Sequence, residues 1–174
     1  MHEIAEQVLA LASRSAAWAE VYAASEEETP VSFEANCLRS VETRQARGLA
    51  LRVVVEGRIG FASSSRLDEP ELLVEDALAT ARFGPESALA YPTARVQNPG
   101  LNLYDEQVPA LSVDAMAQMG QQMIDRVRAR GEDILCDADV RKSTGTVLVV
   151  NSSGGQGSYR QTVLSLGLHA NRVR

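Results

Sequence analysis

From Arg47 to Ser64 the hydrophobic and polar positions alternate as an extended strand requires. Leu49, Leu51, Val53 and Val55 fall on one side, and Ala50, Arg52 and Val54 on the other. Glu56-Gly57 supplies a two-residue turn in which glycine can take positive φ. Arg58 to Ser63 then runs back. With a two-residue loop, Val54 faces Ile59, Val53 faces Gly60, Arg52 faces Phe61 and Leu51 faces Ala62. One face thus sets large aliphatics beside very small partners, which lets a helix lie close. The pattern predicts a hairpin at the centre of a sheet, covered on that face by helices. A slip of one residue would exchange the faces.

The rest of the chain reads outward from this hairpin. Ile4, Val8, Leu9, Leu11 and Ala12 repeat at helical spacing and predict a helix over 2–15. Trp18 to Glu26 alternates as a strand. Glu26-Glu27-Glu28-Thr29-Pro30 predicts a charged turn, with Pro30 marking a strand boundary or an edge. Val31 to Glu34 is a short strand, Ala35-Asn36 a tight turn, Cys37 to Thr43 a returning strand, and Arg44 to Gly48 a second turn. Residues 18–64 are therefore expected to form a meander of about five strands, mostly antiparallel.

A helix is predicted over 69–83. Asp68 and Glu71 form a capping box, Pro70 sits in the first turn, and Gly84-Pro85 stops it. Leu73, Ala77 and Ala81 make its apolar row, widened by Leu72, and this face is expected to lie over Gly60 and Ala62. From Gly84 to Leu111 periodicity is lost among Pro85, Pro92, Pro99, Gly100 and Pro109, which places a domain boundary near residue 98. Ser112 caps a second long helix running to about Arg130, with Met116, Met119, Met123, Ile124 and Val127 inward and Gly131 just past its end. Three extended runs follow, Ile134 to Lys142, Thr146 to Asn151 and Ser158 to His169, with turns at Gly145 and at Ser153 to Gly157. The fold class is α+β: a mostly antiparallel meander sheet packed by helices, then the start of a second α+β domain. One helix and three strands make a thin second core, so the sequence is expected to be a fragment of something longer.

Composition narrows the function. The chain has 174 residues, a formal net charge of −6 and no run of Lys or Arg, which argues against nucleic acid and against an anionic membrane surface. No stretch approaches the ~20 apolar residues of a membrane helix. Two distant cysteines, Cys37 and Cys136, lack metal-ligand spacing and suit packed, reduced thiols. The start, Met1-His2-Glu3-Ile4, is acidic and is no signal peptide. A cytoplasmic location is expected.

Candidate chemistry is sparse. His2-Glu3 resembles half of a zinc-protease motif, but the residues one turn on are Glu6 and Gln7, and the only other histidine is His169. Asn151 to Ser158, NSSGGQGS, lacks the lysine of a phosphate-cradling loop and reads as a hairpin loop. Cys37, with Arg39 and Arg44 near it, is expected to be a buried structural thiol. Glu26 to Glu28 and Asp137 with Asp139 read as solvated charges, and the methionines as core. No catalytic, cofactor-binding or metal-ligating residue is assigned.

Several stretches together resemble the N-terminal part of the TldD/PmbA family, peptidases once named modulators of DNA gyrase. They are Ala19-Glu20-Val21-Tyr22, Val31-Ser32-Phe33-Glu34, Arg47-Gly48-Leu49-Ala50-Leu51-Arg52-Val53-Val54 and, most specific, Glu56-Gly57-Arg58-Ile59-Gly60-Phe61-Ala62-Ser63-Ser64. Asn102-Leu103-Tyr104-Asp105 and Val150-Asn151-Ser152-Ser153-Gly154, leading into Tyr159-Arg160-Gln161-Thr162, look similar too. The Asn-Ser-Ser-Gly stretch is more similar to the PmbA (TldE) branch, which lacks the family's zinc motif.

The resemblance implies a first domain over residues 1–98 and, over 99–174, the truncated opening of a middle domain. It implies that HExxxH lies beyond this region, so that the chain is inactive alone and zinc belongs to the full-length protein or a partner subunit. Its role would be scaffolding, dimer assembly (homodimer or heterodimer with a TldD/PmbA-type subunit) and lining a channel for a peptide substrate. The alternative is a stand-alone, non-catalytic binding module.

Overall fold

The computed structural model describes residues 1–87, 91–93 and 100–173. In chain order these form α1 (His2–Ala12), β1 (Trp18–Glu34), β2 (Cys37–Val41), β3 (Arg44–Val55), β4 (Arg58–Ser64), α2 (Pro70–Ala81), α3 (Gln107–Ala110), α4 (Val113–Arg128), β5 (Ile134–Asn151) and β6 (Gln156–Arg172). The fold is α+β, with the strands in one antiparallel sheet ordered β4-β3-β1-β5-β6 and β2 on β1. The hairpin β3–β4 has the register that the alternation predicts: Leu51 opposite Ala62, Arg52 opposite Phe61, Val53 opposite Gly60 and Val54 opposite Ile59. It lies at one end of the sheet rather than at the centre. The central strand is β1, long enough to pair with β2 and β3 on one side and β5 on the other.

Three expected turns are strand. Glu26 to Pro30 stays extended because its polar groups find partners on neighbouring strands and on the link between β2 and β3. Glu27 accepts from Gln45 Nε2 at 2.7 Å, Thr29 Oγ1 lies 3.1 Å from Thr43 Oγ1, and Glu28 is 3.6 Å from Arg141. Pro30 is tolerated because it sits opposite the break between β2 and β3, where Glu42 N–H donates to its carbonyl at 3.4 Å. A missing N–H on that side leaves no ladder partner orphaned. Arg44 to Gly48 belongs to β3, and Gly145 lies inside β5. Residues 18–64 therefore hold four strands, not five.

The chain folds as two compact units, each gathered from three stretches. The expected boundary near residue 98 falls outside the described residues. Unit 1 comprises Met1–Ser25, Ala46–Leu101 and Thr146–Arg160. Its core joins Ala5, Val8, Leu9 and Ala12 of α1 to Val21, Leu51, Val53, Leu73, Val74, Ala77 and Ala81, with Leu148 and Val150. Fully burying a side chain such as Leu51 contributes about 2 kcal/mol. Helix α1 stops at Ala12, short of residue 15, because i→i+3 bonds from Arg14 and Ser15 tighten the chain and Ser13 Oγ takes the Leu9 carbonyl at 2.7 Å.

Helix α2 lies over the hairpin as expected. A Cβ on Gly60 would stand 2.1 Å from the Ala77 carbonyl oxygen and 2.8 Å from Ala81 Cβ. Glycine is thus what lets the two backbones touch. Two details differ. The residue before Pro70 is Glu69 and no side chain caps the helix, so Asp68 makes no capping box; Val74, not Leu72, widens the buried stripe.

Unit 2 comprises Glu26–Gln45, Asn102–Gly145 and Gln161–Arg174. Its core packs Met116 and Ile124 of α4 on Val31, Phe33, Ile134, Cys136, Ala138 and Val140, with Met119, Met123 and Val127 half-buried beside them. Ser112 Oγ accepts from Ala115 N–H at 3.1 Å, as its place before the helix predicts. Gly131 does not take positive φ; its N–H closes a tight turn onto the Arg128 carbonyl. The Ala35-Asn36 turn has φ of 48° and 71°, and Asn36 fastens it to β5 by accepting from Cys136 N–H at 2.9 Å. Among the described residues no helix is long and apolar enough to cross a membrane.

Candidate functional site

In unit 1 the register that buries Val21, Leu51 and Val53 turns their neighbours to the other face of the same strands. Glu20, Tyr22 and Ala24 of β1, Ala50 and Arg52 of β3, and Phe61 and Ser63 of β4 share this face. Arg52 pairs with Glu20, and its guanidinium lies 5.8 Å from the centre of the Trp18 ring, a cation–π distance. Tyr91 stacks on Trp18 with centroids 3.5 Å apart and planes 18° from parallel. Phe61 is left 56% exposed.

Beside this cluster runs an open groove of about 360 Å³, lined by Tyr22, Ala24, Gly48, Leu49, Ala50, Ser63, Ser64 and Ser65. It offers hydroxyls and an aromatic ring but neither a base nor a carboxylate. It suits binding of a neutral, partly apolar segment, not acid–base chemistry. The alternation shows which residues share this face. The stack on Tyr91 has no local signal, because the two rings come from distant parts of the chain.

The residues singled out in the sequence do not converge. His2 Nε2 is 4.0 Å from Glu6 and 2.9 Å from Gln156 Nε2, while His169 is exposed on β6. Cys37 is exposed rather than buried, because it opens the short strand β2, every residue of which faces solvent; the buried thiol is Cys136. The two arginines near Cys37 are occupied: Arg39 lies 3.5 Å from Glu34 and Arg44 is 2.8 Å from Glu42. Asp137 accepts from Ala35 N–H at 2.9 Å. Among the described residues no three His, Cys, Asp or Glu side chains are grouped to hold a metal. A zinc ion needs three or four such ligands, so the residues in hand do not fit one.

The loop from Asn151 is architectural. Asn151, buried, accepts from Ser153 and Gly155 N–H at 3.0 and 2.8 Å and donates to the Pro92 carbonyl at 3.0 Å. Ser152 clasps Ala19 in both directions, N–H to carbonyl at 2.9 Å and Oγ from N–H at 3.0 Å. The Asn-Ser-Ser-Gly-Gly stretch is thus a turn that fastens the start of β1.

Residues 19–81, which hold β1 to β4 and α2, match the family described as PmbA/TldA metallopeptidase domain 1. Solved structures share the fold of this chain. A candidate modulator of DNA gyrase from Bacteroides thetaiotaomicron is 22% identical, with a TM-score of 0.84 over 96% of this chain and 40% of its own. A second candidate gyrase modulator, from Thermotoga maritima, is 14% identical, with a TM-score of 0.78 over 97% of this chain and 42% of its own. TldE from Thermococcus kodakarensis is 15% identical, with a TM-score of 0.76 over 98% of this chain and 43% of its own. The chain thus spans about two fifths of the length of these proteins. No curated protein matches it.

Proposed function

We propose that this chain is the N-terminal portion of a PmbA/TldD-type metallopeptidase subunit, working in the cytoplasm as framework rather than as the site of bond cleavage. It joins a second subunit, as homodimer or heterodimer, and helps enclose a peptide substrate. The zinc and its HExxxH ligands reside on polypeptide outside this chain. Neither nucleic acid nor membrane enters its task. The Asn-Ser-Ser-Gly stretch at 151–154 is what favours the PmbA (TldE) branch over the TldD branch in this reading.

One observation carries the reading: the match to the first domain of a metallopeptidase family over residues 19–81, in a chain sharing its fold with proteins more than twice as long. The −6 charge supports the exclusion of DNA. The test is peptide cleavage by the isolated chain with and without zinc, then with a HExxxH-bearing subunit added. Turnover is expected only in the second case. Robust zinc-dependent turnover by the isolated chain, surviving His2→Ala and His169→Ala, would overturn the reading.

A further inference from the structure

In unit 2 the stretch Asn102 to Asp105 meets the run that ends at Thr162. Thr162 N–H donates to the Leu103 carbonyl at 3.0 Å, and Asp105 N–H donates to the Thr162 hydroxyl at 3.0 Å. Further along, Lys142 Nζ donates to the carbonyls of Pro109 and Leu111 at 2.9 and 2.6 Å. Pro109 lies in α3 and Leu111 just past its end. The last carbonyls of a helix have no intrahelical partner, and here an ammonium takes them in charge-assisted hydrogen bonds. Between the two fastenings the chain closes on itself. Gln107 N–H donates to the Asp105 carboxylate at 2.8 Å, and the N–H groups of Val108 and Leu111 donate to the carbonyls of Asp105 and Val108, each at 3.2 Å.

What this segment lacks is burial. No residue from Asn102 to Leu111 is buried, and Leu103 is 42% exposed. Leu111, half-buried, rests against the core beneath α4. The helix that follows has supports of its own: Ser112 caps it, and Met116 and Ile124 are fully buried. A segment held by exposed polar bonds, with little apolar surface withdrawn from water, opens more readily than the core beside it.

We propose that residues 102–111 are a strap that opens and closes as one unit while α4 and the sheet stay folded, with Thr162 and Lys142 as its two latches. Opening uncovers the Thr162 backbone N–H and the flank of the α4 core beside Leu111. Each latch holds the other's partner at high effective concentration, so releasing one weakens the other. The strap's opening is independent of the peptidase reading.

The test is amide hydrogen exchange on the whole chain, followed by NMR in rising urea. The amides of Asp105, Val108 and Leu111 are expected to exchange about a hundredfold or more faster than those of Cys136 and Ile124, through an opening that urea barely promotes. Lys142→Met is expected to speed exchange at Val108 and Leu111 about tenfold and, through the strap, to speed it at Asp105 as well. Thr162→Val is expected to act the other way along the strap, most at Asp105 and measurably at Leu111. If each substitution speeds only the amides next to it, the strap is not one unit and the proposal falls. It falls equally if the strap amides of the unsubstituted chain exchange with the rate and urea dependence of Cys136 and Ile124. That readout needs no substitution, so a variant that fails to fold does not shield the proposal.

Discussion

Each unit rests a helix on a sheet over a glycine, and the two contacts differ in what they could yield. In unit 1 the Cβ that Gly60 lacks would strike the carbonyl oxygen of Ala77, at 2.1 Å. In unit 2 the Cβ that Gly120 lacks would strike the ring of Phe33, with Cε2 at 2.2 Å. A helical carbonyl is fixed by its hydrogen bond and cannot turn aside. A phenyl ring can rotate or be replaced. The first contact is therefore specified by backbone geometry, and the second by side-chain complementarity that a compensating change can restore.

This contrast is open to attack by mutation, starting with the largest effect. Gly60→Ala should cost about 3 kcal/mol or more, lowering the melting midpoint by roughly 6–12 °C in thermal unfolding followed by circular dichroism. Adding Ala81→Gly should recover little of this, because the Ala77 carbonyl remains. Asn151→Ala should cost about 2–3 kcal/mol in denaturant titration, since it strips partners from Ser153 N–H, Gly155 N–H and the Pro92 carbonyl around a buried site. Near-neutral behaviour would show that the Asn151 turn contributes little to unit 1.

Gly120→Ala should cost about 1–2 kcal/mol, and a double-mutant cycle with Phe33→Leu should show a favourable coupling of about 1 kcal/mol. Equal coupling in the Gly60/Ala81 and Gly120/Phe33 cycles would erase the proposed distinction. Ser112→Ala should remove about 1 kcal/mol by uncapping α4, and Ser112→Asp should be close to neutral.

Particular elements show how far the sequence could be read. The hairpin register was legible from residues 49–62 alone, because a two-residue turn and a period of two leave one pairing that buries the aliphatics. The seat of α2 over Gly60 followed from the same small positions. The continuity of β1 through Glu26 to Pro30 was not legible. Local composition there favours a turn, and what holds it extended are Gln45 and Arg141 on other strands and Thr43 between β2 and β3. The exposure of Cys37 was hidden for the same reason. Of the candidate surfaces, the sequence showed the alternating residues but not the Trp18–Tyr91 stack or the groove beside it.

The order of residues by itself determined the α+β class, the hairpin and its register, the glycine under α2 and the Ser112 cap. Each depends on spacing within a short window, where sterics and hydrogen-bond geometry leave few choices. Tertiary structure alone decided that β1 is the central strand and that the hairpin lies at one end of the sheet. Those outcomes depend on which distant strands supply partners for backbone and charged groups, and no local pattern of side chains encodes that choice.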